Sequence, residues 1–187
     1  MNTYELSASG RSILCLVCLR PSFNSGDVRH LYCGWCRRYH ADLGAELEQL
    51  RQKEEFCYLG LRLCWGAQVL VTEPGGGLRV LGGRLDLRNH SPTGFDWGYS
   101  GSGPAQLALA ILADYLKIGR GSAAGESAAL FLVYQDFKRE IIAGLPQAGW
   151  RLARREVEKW LYENQGNQSN SAGDSGQRQG VGPDLVA

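Results

Sequence analysis

The chain has 187 residues, 44% of them hydrophobic, and its 20 basic and 19 acidic residues leave a formal net charge of +1. That length holds one or two domains with an ordinary core, and that balance excludes a field strong enough to draw the whole molecule onto nucleic acid. The N-terminus carries no secretory pattern: the apolar run 13–19 contains two cysteines and meets Arg20-Pro21 without a small-residue cleavage site, and neither it nor 107–113 has the length to cross a bilayer. The expectation is a cytoplasmic protein with no membrane contact and with reduced cysteines.

Cys15, Cys18, Cys33 and Cys36 make two Cys-x-x-Cys pairs separated by fourteen residues. Two intervening residues let both thiolates of a pair turn to one ion, and the longer gap brings the second pair round to complete a tetrahedron. The implied cofactor is a structural Zn2+, because a closed four-ligand site leaves no position for a catalytic water. His30, before Cys33, and His40, after Cys36, are alternative metal ligands near enough in sequence to replace a cysteine.

Between the pairs, Asn24-Ser25-Gly26-Asp27 predicts a hairpin turn. Residues 37–55 have helical period, with Tyr39, Leu43, Leu47 and Leu50 at spacings of four, four and three. A treble-clef-like or zinc-ribbon-like module over 1–55 follows. Its Arg29, Tyr32, Trp35, Arg37, Arg38 and Tyr39 are candidate nucleic-acid contacts, the arginines to phosphate and the rings to bases. The competing account packs Trp35 and Tyr39 against the helix and leaves the arginines solvated.

A second unit is expected over 56–163. Its strands are read at 68–72, 78–81 and 84–87, with a turn at Glu73-Pro74-Gly75-Gly76-Gly77, making a small antiparallel meander. Helices follow at 104–116, 126–143 and 152–162. Leu130, Tyr134, Phe137 and Ile141 form the core stripe of the second, and Gly144-Leu145-Pro146 stops it. Cys57 and Cys64 are read as buried, unreactive thiols. From Asn164 the composition turns to Asn, Gln, Gly and Ser without an aromatic residue, so 164–187 is expected to be a disordered tail. The fold class is α+β: an N-terminal zinc-binding module held by four cysteines, then a small antiparallel sheet with three helices, then the tail.

The segment Phe95-Asp96-Trp97-Gly98-Tyr99-Ser100-Gly101-Ser102-Gly103-Pro104-Ala105-Gln106-Leu107-Ala108-Leu109-Ala110 is the most distinctive outside the cysteines. Together with Tyr58-Leu59-Gly60-Leu61-Arg62, with 85–92 and with Tyr134-Gln135-Asp136-Phe137-Lys138, it resembles an uncharacterised family of small domains found in bacteria, archaea and phages. The resemblance covers roughly 57–162 and implies a genuine domain, with no activity attached. The cysteine module looks like an addition to it.

Pro104 suits the first turn of a helix whose open amides, with Ser100, Ser102 and Gly103, offer an anion site helped by Arg88 and His90. Yet Gly98-x-x-Gly101-x-Gly103 is neither a Rossmann fingerprint nor a P-loop, and a turn with a helix cap is the competing account. Gly119-Arg120-Gly121-Ser122 resembles a phosphate loop only superficially. The chain lacks Gly-x-Ser-x-Gly, His-Glu-x-x-His and a deaminase His-x-Glu with Pro-Cys-x-x-Cys. No catalytic residue is assigned. The functional expectation is a non-enzymatic zinc-binding adaptor or regulator, phage-related by its resemblance, that contacts protein or nucleic acid. The alternative is a small enzyme or nucleotide-binding or anion-binding protein using the loop 98–103.

Overall fold

The computed structural model describes residues 1–51, 56–73, 77–119 and 124–171. The chain opens with three short antiparallel strands, β1 (Tyr4–Leu6), β2 (Ile13–Cys15) and β3 (Pro21–Ser22), and a short helix, α1 (Ser25–His30). Asn24 caps α1 by accepting from the N–H groups of Gly26 and Asp27, and Leu31 closes it in the left-handed conformation. The segment expected to turn a hairpin is therefore a helix start, since the short asparagine acceptor serves an N-cap as well as a turn. A hairpin of β4 (Tyr32–Cys33) and β5 (Arg38–Tyr39) then leads into α2 (His40–Arg51).

The second unit begins with a meander of β6 (Cys57–Leu63), β7 (Gly66–Thr72) and β8 (Leu78–Val80). Helices α3 (Ser102–Tyr115) and α4 (Ala124–Glu140), a 3-10 turn at Ile142–Gly144, strand β9 (Gly149–Ala153) and helix α5 (Arg154–Ser171) follow. The sheet is antiparallel throughout, in the order β8-β7-β6-β9. The chain is thus mixed α and β with antiparallel sheets, and no described helix is long and apolar enough to cross a membrane.

Four further elements differ from expectation, each for a physical reason. Strand β6 escaped the alternation test because it is buried on both faces and reads as a nearly unbroken apolar run. Residues 84–87 form a turn, with Arg84 left-handed at φ 53° and its guanidinium donating to Asp86 and, at 2.6 Å, to Ile118 O. The start of the expected 152–162 helix is instead β9, where pairing with β6 overrides helical periodicity. Helix α5 runs on to Ser171 through the first residues of the expected tail, and Asn164 Nδ2 donates to Trp160 O at 3.0 Å. A helix already anchored by buried Val157, Trp160 and Leu161 extends without a new nucleation cost. Residues 172–187, the turn residues 74–76, the connection 120–123 and the helix end at 52–55 lie outside the described residues.

The sheet is covered on both faces. On one, Tyr58, Val69, Val71 and Leu152 meet Leu107 and Ile111 of α3, Leu130 and Phe137 of α4, and Val157 of α5. On the other, Leu59, Leu61, Leu63 and Leu70 meet Leu43 and Leu47 of α2, together with Val17, Cys15, Cys33 and Cys36. Each of these buried leucines contributes roughly 2 kcal/mol. The cysteine-bearing segment therefore forms the second cover of the sheet.

Candidate metal centre

The two cysteine pairs occupy equivalent turns. Cys15 ends β2 and Cys18 lies in the turn toward β3, while Cys33 ends β4 and Cys36 lies in the turn toward β5. In each turn the residue after the second cysteine is left-handed, Leu19 at φ 57° and Arg37 at φ 55°. Leu19 N–H donates to Cys15 O at 2.8 Å, and Cys36 N–H donates to Cys33 Sγ at 3.3 Å. Both knuckles turn their sulfurs to a common centre: Cys15 Sγ stands 3.9 Å from Cys36 Sγ and Cys18 Sγ 3.7 Å from Cys33 Sγ. All four lie within 4.8 Å of one another.

These spacings are far beyond the S–S bond of about 2.05 Å, so the four are separate thiols. Four sulfurs about 2.3 Å from a central ion at tetrahedral angles stand about 3.8 Å apart, which the Cys15–Cys36 and Cys18–Cys33 separations match. The donor set fits a four-coordinate metal ion. Cys15, Cys33 and Cys36 are buried in one apolar cluster with Val17, Leu43 and Leu47, and Cys18 is half-buried at its margin.

The sulfurs also divide by proton affinity. Hydrogen bonds from Cys15, Cys18 and Cys36 hold the Cys33 thiol far below its ordinary value, whereas Cys36 is pushed up by Cys15 and its neighbours. Cys15 is lowered, led by its bond from Cys18, and Cys18 is correspondingly raised. Four thiols this close share their protons because four negative charges cannot stand together without a cation.

Neither histidine joins them. His30 is exposed at the end of α1. His40 opens α2, buried, with Nδ1 3.0 Å from Thr3 Oγ1, while the same hydroxyl donates to His40 O at 3.2 Å. Thr3 thus holds both the imidazole and the backbone of His40. Burial, partly offset by the charge at Cys33, lowers the proton affinity of this imidazole below the ordinary value.

Of the candidate nucleic-acid contacts, Trp35 and Tyr39 are 46% and 53% exposed rather than packed beneath α2. Arg20 stacks over the Trp35 ring at 3.7 Å. Arg38 is held by Glu46 at 2.5 Å, while Arg29 and Arg37 are exposed. Cys57 is buried, as expected, but Cys64 is exposed and donates to Trp35 O at 3.2 Å, because the β6–β7 turn reaches the second knuckle.

The loop before α3 is filled from within. Asp96 packs so closely on Gly103 that a Cβ there would stand 2.5 Å from Asp96 Cβ. Asp96 pairs with Arg62 at 2.5 Å and accepts from Tyr99 OH at 3.0 Å and from its neighbour Trp97 N–H at 2.9 Å. Arg62 lies 4.1 Å over the buried Trp97 ring, whose Nε1 donates to Pro146 O. Ser100 and Ser102 are exposed. Arg88 and His90 instead rest on α4: Arg88 donates to Tyr134 OH at 3.2 Å, and the His90 ring stands 5.4 Å from Tyr134. The five residues are thus divided between two settings.

One polar residue that sequence reasoning passed over organises that region. Gln106, fully buried, accepts from His90 N–H and Ser91 N–H and donates to Gly83 O and Arg88 O. Its signal was a single amide inside the apolar stretch 104–113.

The family model that matches is described as a family of unknown function, DUF6166, and it spans residues 58–163. The chain belongs to DUF6166. Neither a curated protein nor a solved structure matches it. The DUF6166 span takes in β6 through β9 with their helices and ends within α5, while the four clustered cysteines precede it.

Proposed function

We propose that this DUF6166 chain is a non-enzymatic, zinc-binding adaptor or regulator of the cytoplasm, in which a structural Zn2+ fixes a module that acts through macromolecular contacts. The observation that carries the reading is the largely buried cluster of four sulfurs, with two separations that match tetrahedral coordination and with His30 and His40 outside it. All-thiolate tetrahedral coordination suits zinc, and the two equivalent knuckles favour a zinc-ribbon-like arrangement over one in which the second pair opens a helix. Protein contact is favoured over nucleic acid because Arg38 is neutralised by Glu46 and the net charge is only +1. The loop 98–103 supports an anion-binding role less well, since Arg62 is already paired with Asp96 there.

Cobalt(II) substitution tests the metal reading. The cobalt form is expected to show the intense visible bands and sulfur-to-cobalt charge transfer of tetrahedral thiolate coordination. Cys33→Ser should weaken both, and His40→Ala should leave them unchanged. An octahedral spectrum, or one indifferent to Cys33→Ser, would overturn the assignment.

A further inference from the structure

Strand β9 stands at the edge of the sheet, and its hydrogen-bonding alternation can be read from its flanks. Arg154 N–H donates to Phe56 O across the β6 pairing, so residues 150, 152 and 154 face β6 while Gly149, Arg151 and Ala153 turn their backbone groups outward. Glu156 Oε2 accepts the outward Ala153 N–H at 2.6 Å and ends the open edge there. Among the described residues no strand pairs with the outer side of β9.

Beside this edge runs an open groove of about 550 Å3, walled by Glu46, Gln49 and Leu50 of α2 and floored by Gly149 and Arg151. Glycine at 149 keeps the floor low: a Cβ would stand 3.2 Å from Gly60 O and 3.7 Å from Leu50 Cδ1. Arg151 shares its face with Leu59, toward α2. Its NH1 atom is buried without a hydrogen-bond partner. Glu156 Oε2, which accepts from Ala153 N–H, also forms a long ion pair with NH1 at 3.5 Å. The Arg151 guanidinium thus has a long ion pair but no hydrogen bond beside the unpaired strand edge, and a carboxylate from outside would supply one.

We infer that the groove between α2 and β9 is a peptide-docking site, which takes an extended segment of a partner protein as an added strand and sets an acidic side chain against Arg151. Main-chain bonds to Gly149 and Arg151 supply the register, and the carboxylate supplies the selectivity. A second copy fits worse: antiparallel pairing of two β9 edges about their midpoint would place Arg151 opposite Arg151, and like charges directly across a ladder repel. The inference specifies the contact surface within the proposed adaptor role. It rests on the sheet edge rather than on the identity of the metal, so the two fail separately.

The test is selection of a displayed library of random linear peptides on the full-length chain, followed by binding and hydrogen exchange with the enriched peptide. The expected consensus alternates β-prone residues around one acidic position, and the bound peptide slows exchange at the Gly149 and Arg151 amides. Arg151→Glu should weaken it by about thirtyfold. Arg151→Gln, which removes the charge but keeps a polar side chain beside Glu156, serves if reversal unfolds the chain, and the exchange pattern decides if both variants unfold. No enriched peptide, equal binding to a folded variant, or protection confined to another surface would overturn the proposal. So would a concentration-dependent dimer that protects β9 without peptide.

Discussion

Leu19 and Arg37 hold left-handed backbone in the two knuckle turns, a conformation that places Cβ against the following carbonyl and costs an L-residue roughly 1–2 kcal/mol. The cysteine spacing was legible in the sequence, but these two turns were not, because neither position carries the glycine that usually marks them. Arg37 is exposed. Arg37→Gly is therefore expected to stabilise the module by about 1 kcal/mol, read as a higher denaturant midpoint; a lower one would contradict the turn geometry. Asp96 makes the opposite kind of contribution. Burial resists its ionisation, but Arg62, the Trp97 N–H and the Tyr99 hydroxyl together hold its carboxyl below the ordinary value of 3.8. A depressed folded-state pKa gives stability that is fully present above that ordinary value and is lost as pH falls through the folded one. Asp96→Asn should destabilise the chain near neutral pH and flatten its loss of stability below about pH 4. An unchanged acid-unfolding profile would show that the Arg62 pair contributes nothing.

Helices were legible by spacing or by length even where buried all round, whereas short strands buried on both faces were obscure. The α3 helix was readable from Pro104 and its apolar run, and α2 from its leucine spacing. Strand β6 was not, because α2 covers one side and α3 the other, so the alternation that marks a strand disappears. Strand β9 was hidden for another reason: Leu152 and Ala153 abut a helical sequence, and only the distant β6 edge makes them a strand. The cross-strand pair Gly60 and Trp150 shows how tightly the two are fitted. A Cβ on Gly60 would stand 2.2 Å from Trp150 Nε1 and Cε2, within a ring that is itself 2% exposed and set edge-on to Trp97 at 5.5 Å. Gly60→Ala must displace that indole, at about 3 kcal/mol. Thermal melting checks this, and a parent-like midpoint would mean that the indole has space to move.

At the scale of the molecule, the sequence suggested a metal module set before a separate domain, with a boundary near residue 55. The distribution of apolar side chains argues for closer dependence, since Leu59, Leu61 and Leu70 of the sheet are buried against Leu43, Leu47 and the cysteine turns. No local pattern announces such a contact, because it joins residues far apart in the chain. Metal loss should therefore uncover a face of the sheet as well as loosen the knuckles. With a chelator, a single transition at lower temperature is expected; an unshifted transition for the sheet would show that its second face stands alone. The account rests above all on the four sulfurs, and native mass spectrometry of the chain purified without added metal tests them most directly. It predicts a compact chain carrying one zinc ion, absent from Cys33→Ser. A compact chain of metal-free mass would contradict it.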